Sequence, residues 1–415
     1  MRVRLDYGSD GLEVNLPSDR VTVIQPAFRS AVADPHAALS AALRAPLGRP
    51  PLREIVRPGQ KIAISVCDIT RAQPRQAMLE ALFAELPDIR PEDVTILIAT
   101  GTHRVNTPAE HEQMLGADIA RRYRVVNHDS RAASTLVHVG TTTTGVPVSL
   151  NRIWMDADIR ITTGFVEPHF FAGFSGGPKL VTPGLAGLDT VLVLHDATRI
   201  GDPKATWGIT HGNPVHDDIR AAANAAPPHF AFDVILNREQ KVIEAFAGEL
   251  EPMHAAACQA AQKFAMRAVP EPFDVVVTSN SGYPLDQNLY QAVKGMSAAA
   301  KVVKPGGLII CAAECRDGFP GHGSYRELLG GDPREFLRTI MQSDHATPDQ
   351  WQVQIQANIQ DHARIVMHTG HLSDDELRSV HLEQTRDIGA TVAAEGGSAS
   401  VCVLPEGPQT IAYIG

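Results

Sequence analysis

The sequence predicts an α/β protein with two domains, each built on a largely parallel sheet, and an active site in the cleft between them. Three observations support this prediction. Short apolar runs typical of buried strands alternate with helical patterns, which favours parallel strands joined by crossover helices. The chain has 415 residues, enough for two or three domains at roughly 150 residues each. A segment with two prolines, Ala268–Phe273, interrupts the pattern and predicts a linker.

The predicted strands and helices define the two domains. The strands are Lys61–Asp68, Val94–Thr100, Arg124–Asn127, Ile159–Thr163 and Phe232–Leu236, then Phe273–Thr278, Leu308–Ala312 and Ser400–Leu404. Helical patterns cover Gln76–Leu86 and Ala255–Met266. We place the first domain at residues 1–268 and the second at 273–402. The tail at 403–415 can return to complete the first domain, because chain termini often lie close together.

The composition excludes several broad classes of protein. Apolar residues make up 44% and charged residues 20%, which fits a globular chain. The 37 basic and 47 acidic residues give a net charge of −10, which disfavours nucleic acid or an anionic membrane as a partner. No apolar run approaches the roughly 18 residues of a membrane span. The N-terminus lacks the apolar run of a signal peptide, so we expect a cytoplasmic protein.

The chain is rich in histidine and poor in cysteine. It has 17 histidines and 5 cysteines, and the cysteines form no CxxC pair. A disulfide framework is therefore not expected, and a reducing compartment fits.

Reactive side chains follow four strands of the predicted first domain. Ligands of open parallel sheets bind beyond the carboxyl ends of the strands. The residues at these ends are Asp68 and Arg71, His103 and Arg104, His128 and Asp129, and Glu167 and His169. We expect at least two of these clusters to share one site.

A glycine-rich segment, Phe170–Lys179, precedes a predicted helix. Its glycines can let backbone amides approach an anion, and a helix N-terminus favours negative charge. It is not a Walker loop, because Pro178 and Leu180 replace the required glycine and Ser/Thr. The spacing alone equally allows a structural loop with a solvated lysine.

The remaining histidines have ordinary local explanations. His195 ends an apolar helical stripe, where a lone histidine is more often a core residue than a metal ligand. His211 and His216 flank a predicted helix start capped by Asn213. The sequence leaves the roles of these two and of His128 open.

Several strings in these loops resemble the nickel-pincer-nucleotide-dependent lactate racemase family. They are Asp68–Arg71, Ala99–Arg104, Glu167–Lys179, Pro183–Gly184 and Tyr283–Gly295. The resemblance implies a pyridinium mononucleotide cofactor with a thioamide and a thiocarboxylate, which binds nickel through two sulfurs and a ring carbon. By resemblance, Lys179 forms the covalent tether to this cofactor and His195 is the protein ligand that completes a planar nickel site. The cofactor would bring its own sulfur, so the cysteines need not supply it.

The resemblance also assigns the other site residues. His103 and His169 are the catalytic pair, since inverting a 2-hydroxy acid by hydride transfer needs a base for each enantiomer. Asp68, Thr70, Gly176 and Gly177 are cofactor-binding residues. Arg71 clamps the substrate carboxylate, although a surface ion pair with Asp68 is the alternative. The substrate-binding residues of the second domain are Tyr290, Gln291, Lys294 and Trp351, which close over the first-domain histidines.

The expected function is therefore the racemisation of lactate or another short aliphatic 2-hydroxy acid. The expected partners are this substrate and the enzymes that make the cofactor, without nucleic acid or membrane. One alternative is a hydrolase or lyase with zinc or another simple metal, against which the sequence offers no HExxH-like ligand pair. Another is a non-catalytic nucleotide-binding sensor, which would not need both catalytic histidines together with Lys179 and His195. The sequence does not predict an oligomeric state.

Overall fold

Two sheets organise the residues that the computed structural model describes, which are 1–17, 20–27, 29–321, 323–343 and 346–415. The strands before residue 250 are β1 (Arg2–Leu5), β2 (Leu12–Asn15), β3 (Val21–Val23), β4 (Ile62–Cys67), β5 (Val94–Ala99), β6 (Arg124–Asn127), β7 (Leu136–Thr141), β8 (Pro147–Asn151), β9 (Ile159–Phe165), β10 (Pro168–His169), β11 (Gly173–Phe174), β12 (Phe230–Leu236) and β13 (Val242–Gly248). The later strands are β14 (Met266–Val269), β15 (Phe273–Ser279), β16 (Val303–Ala312), β17 (Arg364–His368), β18 (Glu383–Gln384), β19 (Val401–Leu404) and β20 (Ile411–Ile414).

Helices connect most of these strands. The α-helices are α1 (Pro35–Arg44), α2 (Leu52–Ile55), α3 (Arg75–Ala84), α4 (Pro108–Leu115), α5 (Ala117–Arg122), α6 (Arg152–Met155), α7 (Leu188–Leu194), α8 (Ala197–Ile200), α9 (Pro214–Ala223), α10 (Leu250–Ala265), α11 (Leu289–Ala300), α12 (Tyr325–Leu329), α13 (Pro333–Ile340), α14 (Gln350–His362), α15 (Asp374–Arg378) and α16 (Ile388–Ala394). Short 3-10 helices lie at Pro91–Asp93, Ala133–Thr135, Gly177–Leu180 and Gly407–Gln409. Over the described residues, no helix is both long and apolar enough to cross a membrane.

The first sheet has the strand order β13-β12-β9-β4-β5-β6 and is parallel except for β13. Every residue of β4 is buried, because helices cover both faces of a parallel sheet. Ile64 and Val66 pack with Met78 and Leu82 of α3 on one face, and Ala63 packs with another cluster on the other face. The predicted α/β class and largely parallel sheets are confirmed.

The second sheet has the order β18-β17-β16-β15-β19-β3 and is parallel throughout its described strands. Its edge strand β3 comes from the N-terminus, and the β1–β2 hairpin packs on the same sheet through Val3 and Leu5 beside Val275 and Val277. Strands β1, β2 and β3, which fall within the predicted first domain at 1–268, lie with the second sheet. Such short strands carry too few side chains for the sequence to indicate which sheet they join.

Half of the segment predicted as a linker, Ala268–Phe273, is strand. Met266–Val269 forms β14, which pairs in parallel with β20 at the C-terminal tail. Only residues 270–272 separate β14 from β15. The tail returns to the end of α10. The buried Ile411 joins an apolar cluster that also contains Phe171 and Met296. The two domains therefore share a continuous core beside the cleft.

Candidate active site

The loop after β4 is fixed by a buried arginine that the sequence did not point to. Arg75 donates hydrogen bonds to the backbone oxygens of Cys67 (2.7 Å), Asp68, Arg71 (2.7 Å) and Gln73 (3.2 Å). Burial lowers the pKa of Arg75, and no carboxylate of the described residues lies within ion-pair distance of it. Its donors therefore hold the loop that carries Asp68 and Arg71.

Asp68 pairs with His103 and leaves Arg71 without an ion pair among the described residues. His103 Nδ1 lies 2.5 Å from Asp68 Oδ2, and Asp68 Oδ1 accepts hydrogen bonds from the Thr70 hydroxyl (2.6 Å) and amide (3.0 Å). Burial would raise the pKa of Asp68, but the hydrogen bond and charge of His103 and the charge of Arg71 hold it well below its usual range. An ionised Asp68 accepts the Nδ1 proton of His103, which leaves Nε2 of the neutral ring free to take a proton.

His169 has the opposite tautomer. The Ala172 amide donates to His169 Nδ1 at 3.3 Å, so a neutral ring carries its proton on Nε2. The ring packs edge-on against Phe171, with centroids 4.5 Å apart. Burial, followed by the charges of Lys179 and Lys294, lowers the pKa of His169 well below its ordinary value. The neutral rings of the two predicted catalytic histidines therefore differ at Nε2, which has a lone pair in His103 and an N–H in His169.

The glycine loop, Phe170–Lys179, packs against the interior instead of opening toward an anion. Gly176 and Gly177 have φ angles of +74° and +49°. A Cβ on Gly176 would lie 2.6 Å from Asp233 Oδ2, and one on Gly177 would lie 2.4 Å from His254 Cγ. The Gly177 amide donates to Asp233 Oδ2 at 2.6 Å. These glycines permit close packing of the loop, and their contact with a cofactor stays a prediction.

Of the three histidines whose roles were left open, His128 and His216 are buried and His211 is exposed. His128 Nδ1 lies 3.1 Å from Asn151 Nδ2 and its Nε2 lies 2.9 Å from a backbone oxygen, which ties strand ends together. His216 Nδ1 lies 2.9 Å from the Ala172 oxygen, and burial lowers its pKa to about 2. A neutral His216 therefore holds the glycine loop through its contact with the Ala172 oxygen. His211 is exposed before α9, which Asn213 caps as predicted.

Lys179 lies in the four-residue 3-10 helix Gly177–Leu180, at the end of the segment that the sequence predicted as a glycine-rich loop. Its Nζ is 5.6 Å from the centroid of the Phe171 ring, and no carboxylate of the described residues is within ion-pair distance. Burial, helped by neighbouring cations, lowers its pKa to about 7. An amine that is partly neutral near pH 7 is a nucleophile, which disfavours the alternative of a solvated lysine.

His195 follows the last residue of α7 and presents one free ring nitrogen. Its Nδ1 lies 2.7 Å from the Val191 oxygen, and burial lowers its pKa to about 4. The neutral ring thus donates from Nδ1 and keeps a lone pair on Nε2, as metal-binding histidines do. Its ring lies 5.3 Å from Phe171 and 4.7 Å from Trp351 between centroids. These features fit a metal ligand.

Helix α11 of the second domain presents the predicted substrate residues. Asn288 caps its N-terminus by accepting from the Gln291 amide. Lys294 Nζ donates to Gln291 Oε1 at 2.9 Å, so these two side chains share a face as predicted. Burial lowers the pKa of Lys294 to about 8. The ring of Tyr290 packs against Tyr325 at 5.2 Å between centroids.

A cavity of about 380 Å³ joins the two domains. Thr70, Arg71, Glu167 and His169 line it from the first domain, and Lys294 lines it from the second. Glu167 lines the cavity and is exposed there to solvent; desolvation raises its pKa, and the charges of Arg71 and Lys294 oppose that rise. The sequence places Glu167 among the polar residues at the strand ends without indicating a role for it. An excess of cationic groups around one cavity suits a carboxylate ligand.

Three of the four predicted clusters meet at one edge of the first sheet. The ends of β4 and β5 share the pair Asp68 and His103, and the end of β9 faces the same cavity as Arg71. The fourth cluster, after β6, does not join them, since His128 is buried in backbone contacts. The expectation that at least two clusters share a site is thus met by the geometry.

The chain is similar to known proteins over nearly its whole length. The lactate racemase N-terminal domain family matches residues 7–208, and the lactate racemase C-terminal domain family matches residues 269–412. A lactate racemase of Thermoanaerobacterium thermosaccharolyticum is 35% identical over 99% of this chain and 98% of its own. A lactate racemase of Lactiplantibacillus plantarum is 37% identical over 87% of each chain.

Solved structures show the same likeness. The lactate racemase apoprotein from Thermoanaerobacterium thermosaccharolyticum superposes with a TM-score of 0.93 at 34% identity, covering 99% of this chain and 100% of that chain. A protein from Thermotoga maritima, at 20% identity and a TM-score of 0.68, covers 92% of this chain and 97% of its own and shares the fold.

Two α/β domains that enclose a cavity lined by Arg71, His169 and Lys294, together with the likeness to lactate racemases, indicate a racemase, an enzyme of the isomerase class. The matches over both domains make the family plain. The chain belongs to the lactate racemase family.

Proposed function

We propose that this chain interconverts the D and L forms of lactate, or of another short aliphatic 2-hydroxy acid, with a nickel-pincer nucleotide tethered through Lys179. The observation that carries the proposal is the shared contact of Lys179 and His195 with Phe171. Lys179 Nζ lies 5.6 Å and the His195 ring 5.3 Å from the Phe171 ring centroid. A nucleophilic amine and a free imidazole nitrogen thus lie around one aromatic ring.

The donor set favours this cofactor over a simple metal. Among the described residues, no group of three or more His, Cys, Asp or Glu side chains could hold a metal ion. A nickel ion bound by His195 Nε2 would therefore need further ligands from outside the protein, as a sulfur-bearing nucleotide provides. This disfavours the zinc-type hydrolase or lyase. When bound, the cofactor supplies a site that accepts a hydride from the substrate carbon and returns it.

The chain's own histidines move the substrate proton. For one enantiomer, His103 Nε2 takes the hydroxyl proton while Asp68 stabilises the imidazolium through Nδ1. For the other, the ring of His169 takes that proton, and His103, then an imidazolium, returns one to the substrate oxygen. In each direction one ring begins neutral and ends as the imidazolium, while the other begins as the imidazolium, returns a proton to the substrate oxygen and ends neutral. The hydrogen bond between Asp68 and His103 Nδ1 leaves Nε2 of His103 available as the base.

The carboxylate of the substrate would bind between the domains. Arg71 offers a guanidinium free of ion pairs among the described residues, and Lys294 faces the same cavity. Two further arginines line the cavity, but Arg238 pairs with Glu406 at 3.3 Å and Arg29 with Glu244 at 3.1 Å. One free carboxylate site supports a monocarboxylic substrate.

Aromatic side chains support a short apolar substituent. Phe170 lines the cavity, while Tyr290 and Trp351 approach from the second domain. Burial raises the pKa of the Tyr290 phenol, and a hydrogen bond from Trp351 opposes that rise. Tyr290 therefore stays neutral. Closure of these aromatic groups over the cleft would keep water from the hydride step.

The tether is tested by intact mass after co-expression with the cofactor-making enzymes. We expect the wild-type chain to carry nickel, near-ultraviolet absorbance and an adduct on Lys179, and Lys179→Ala to lose all three. Lys294→Ala is the matched control, because it removes a neighbouring lysine of lowered pKa and should keep the adduct while losing activity. Zinc without an adduct in the wild type, or an adduct that persists in Lys179→Ala, would contradict the proposal.

A further inference from the structure

Helix α14 of the second domain contacts the segment that follows His195. Trp351 lies with its ring centroid 4.7 Å from that of His195. One turn further along, Gln354 Nε2 donates to the Ala197 oxygen at 2.8 Å. Residues three apart on a helix share a face, so α14 approaches His195 and the start of α8 with one surface.

Gln354 is an unusual residue for this place. It is 2% exposed, and its Oε1 is buried without a hydrogen-bond partner among the described residues. The Ala197 oxygen already accepts the Gly201 amide inside α8 at 2.9 Å, so α8 does not need the second donor. Gln356 Nε2 is likewise buried without a partner among the described residues, so what distinguishes Gln354 is that its hydrogen bond crosses between the domains.

Two neighbouring buried glutamines of α14 provide a comparison for the hydrogen bond of Gln354. Gln352 Nε2 donates to the Tyr290 oxygen at 2.5 Å, and Gln356 Oε1 accepts from Tyr325 at 2.5 Å. Both bonds stay within the second domain. Among these three buried glutamines, Gln354 is the one whose bond reaches the first domain.

We infer that Gln354 is a positioning residue for His195. Its hydrogen bond to Ala197 fixes the backbone just after His195, and Trp351 packs on the ring itself, so that docking of the second domain sets the direction of Nε2. Closure over the substrate and alignment of the metal ligand thereby become one event. The assignment of His195 as the metal ligand rests on the proposed function, whereas the contact across the domains does not.

Hydrogen exchange of the apoprotein tests the contact without cofactor. Gln354→Met keeps the volume and removes the donor. We expect exchange of the amides in 195–201 to rise at least tenfold relative to wild type. Gln352→Met, which removes a donor of the same helix, should leave these amides unchanged. Unchanged exchange in a folded Gln354→Met protein would overturn the inference.

The loaded enzyme tests the consequence for the metal. Gln354→Met should keep the Lys179 adduct, release nickel at least fivefold faster into a chelator, and lose kcat by about tenfold with KM changed less than twofold. Wild-type nickel retention and kcat in this variant would also overturn the inference. The nickel and adduct of the wild-type protein report on the proposed function separately, and exchange of residues 195–201 still decides the contact if those are missing.

Discussion

His103 and His195 carry the same imidazole ring, yet the structure gives their Nδ1 atoms different partners. His103 faces the Asp68 carboxylate, and 44% of its side chain is exposed. His195 faces the Val191 carbonyl, and burial lowers its pKa to about 4. A carboxylate stabilises the imidazolium, whereas a carbonyl in a buried setting favours the neutral ring. The partner of Nδ1 therefore suits one histidine to proton transfer and the other to metal binding.

The largest effects are expected where the proton-transfer histidines are removed. His103→Ala and His169→Ala should each lower kcat by about 10²–10⁴-fold, in both the D-to-L and the L-to-D direction, because each direction needs one acid and one base. Chiral chromatography with loaded enzyme measures this. The Lys179 adduct, read by intact mass, is the control for loading, since protein made without cofactor should be inactive. Full activity in either variant would exclude the two-histidine mechanism.

Asp68→Asn removes the carboxylate that distinguishes the Nδ1 partner of His103 from that of His195. The amide cannot stabilise an imidazolium and no longer selects one tautomer. We expect kcat to fall by about 10²-fold or more, with the adduct and the nickel retained. Thr70→Val removes only one hydrogen bond to the same carboxylate. If kcat fell less in Asp68→Asn than in Thr70→Val, the charge of Asp68 would not be what favours proton transfer by His103.

The same substitution should change the pH dependence of stability. The pKa of Asp68 is lower in the folded protein than in the unfolded chain, so its ionised form stabilises the fold above about pH 4, and this contribution is lost as the pH falls further. Urea unfolding should show Asp68→Asn less stable than wild type at pH 7, with the difference shrinking at pH 3. A difference that does not depend on pH would contradict the assigned ionisation.

The sequence predicted much of this site, because the motifs lie at strand ends that a parallel sheet brings together. The apolar runs placed β4, β5 and β9. The loops after β4 and β9 line the cavity, and the loop after β5 carries His103, which pairs with Asp68. The sequence did not predict the hydrogen-bond partners that depend on tertiary packing. Arg75 gives all its bonds to backbone oxygens, and Gln354 reaches a carbonyl 157 residues away. Neither bond leaves a pattern in the local sequence.

The glycine loop shows a second limit of sequence reasoning. Its glycines suggested an anion site, but the space that they leave is filled by Asp233 and His254. Both side chains come from elements that are distant in the sequence, β12 and α10, so only the fold reveals that they pack against the loop. Glycine spacing indicates that something approaches the backbone closely, without indicating what it is.

A carboxylate that acts across the cavity should have a weaker effect than the direct contact of Asp68. Glu167 raises the pKa of Lys179, against the larger lowering by burial and by Arg71. Glu167→Gln should therefore lower that pKa below about 7 and increase the rate at which the apoprotein's Lys179 is acylated at pH 6 by about two- to fivefold, judged from a coupling of roughly half a pH unit. Peptide mapping measures this. Glu406→Gln, which removes a carboxylate that lines the same cavity beside Arg238, should leave the rate unchanged, and a slower reaction in Glu167→Gln would mean that Glu167 acts as a base rather than as a charge.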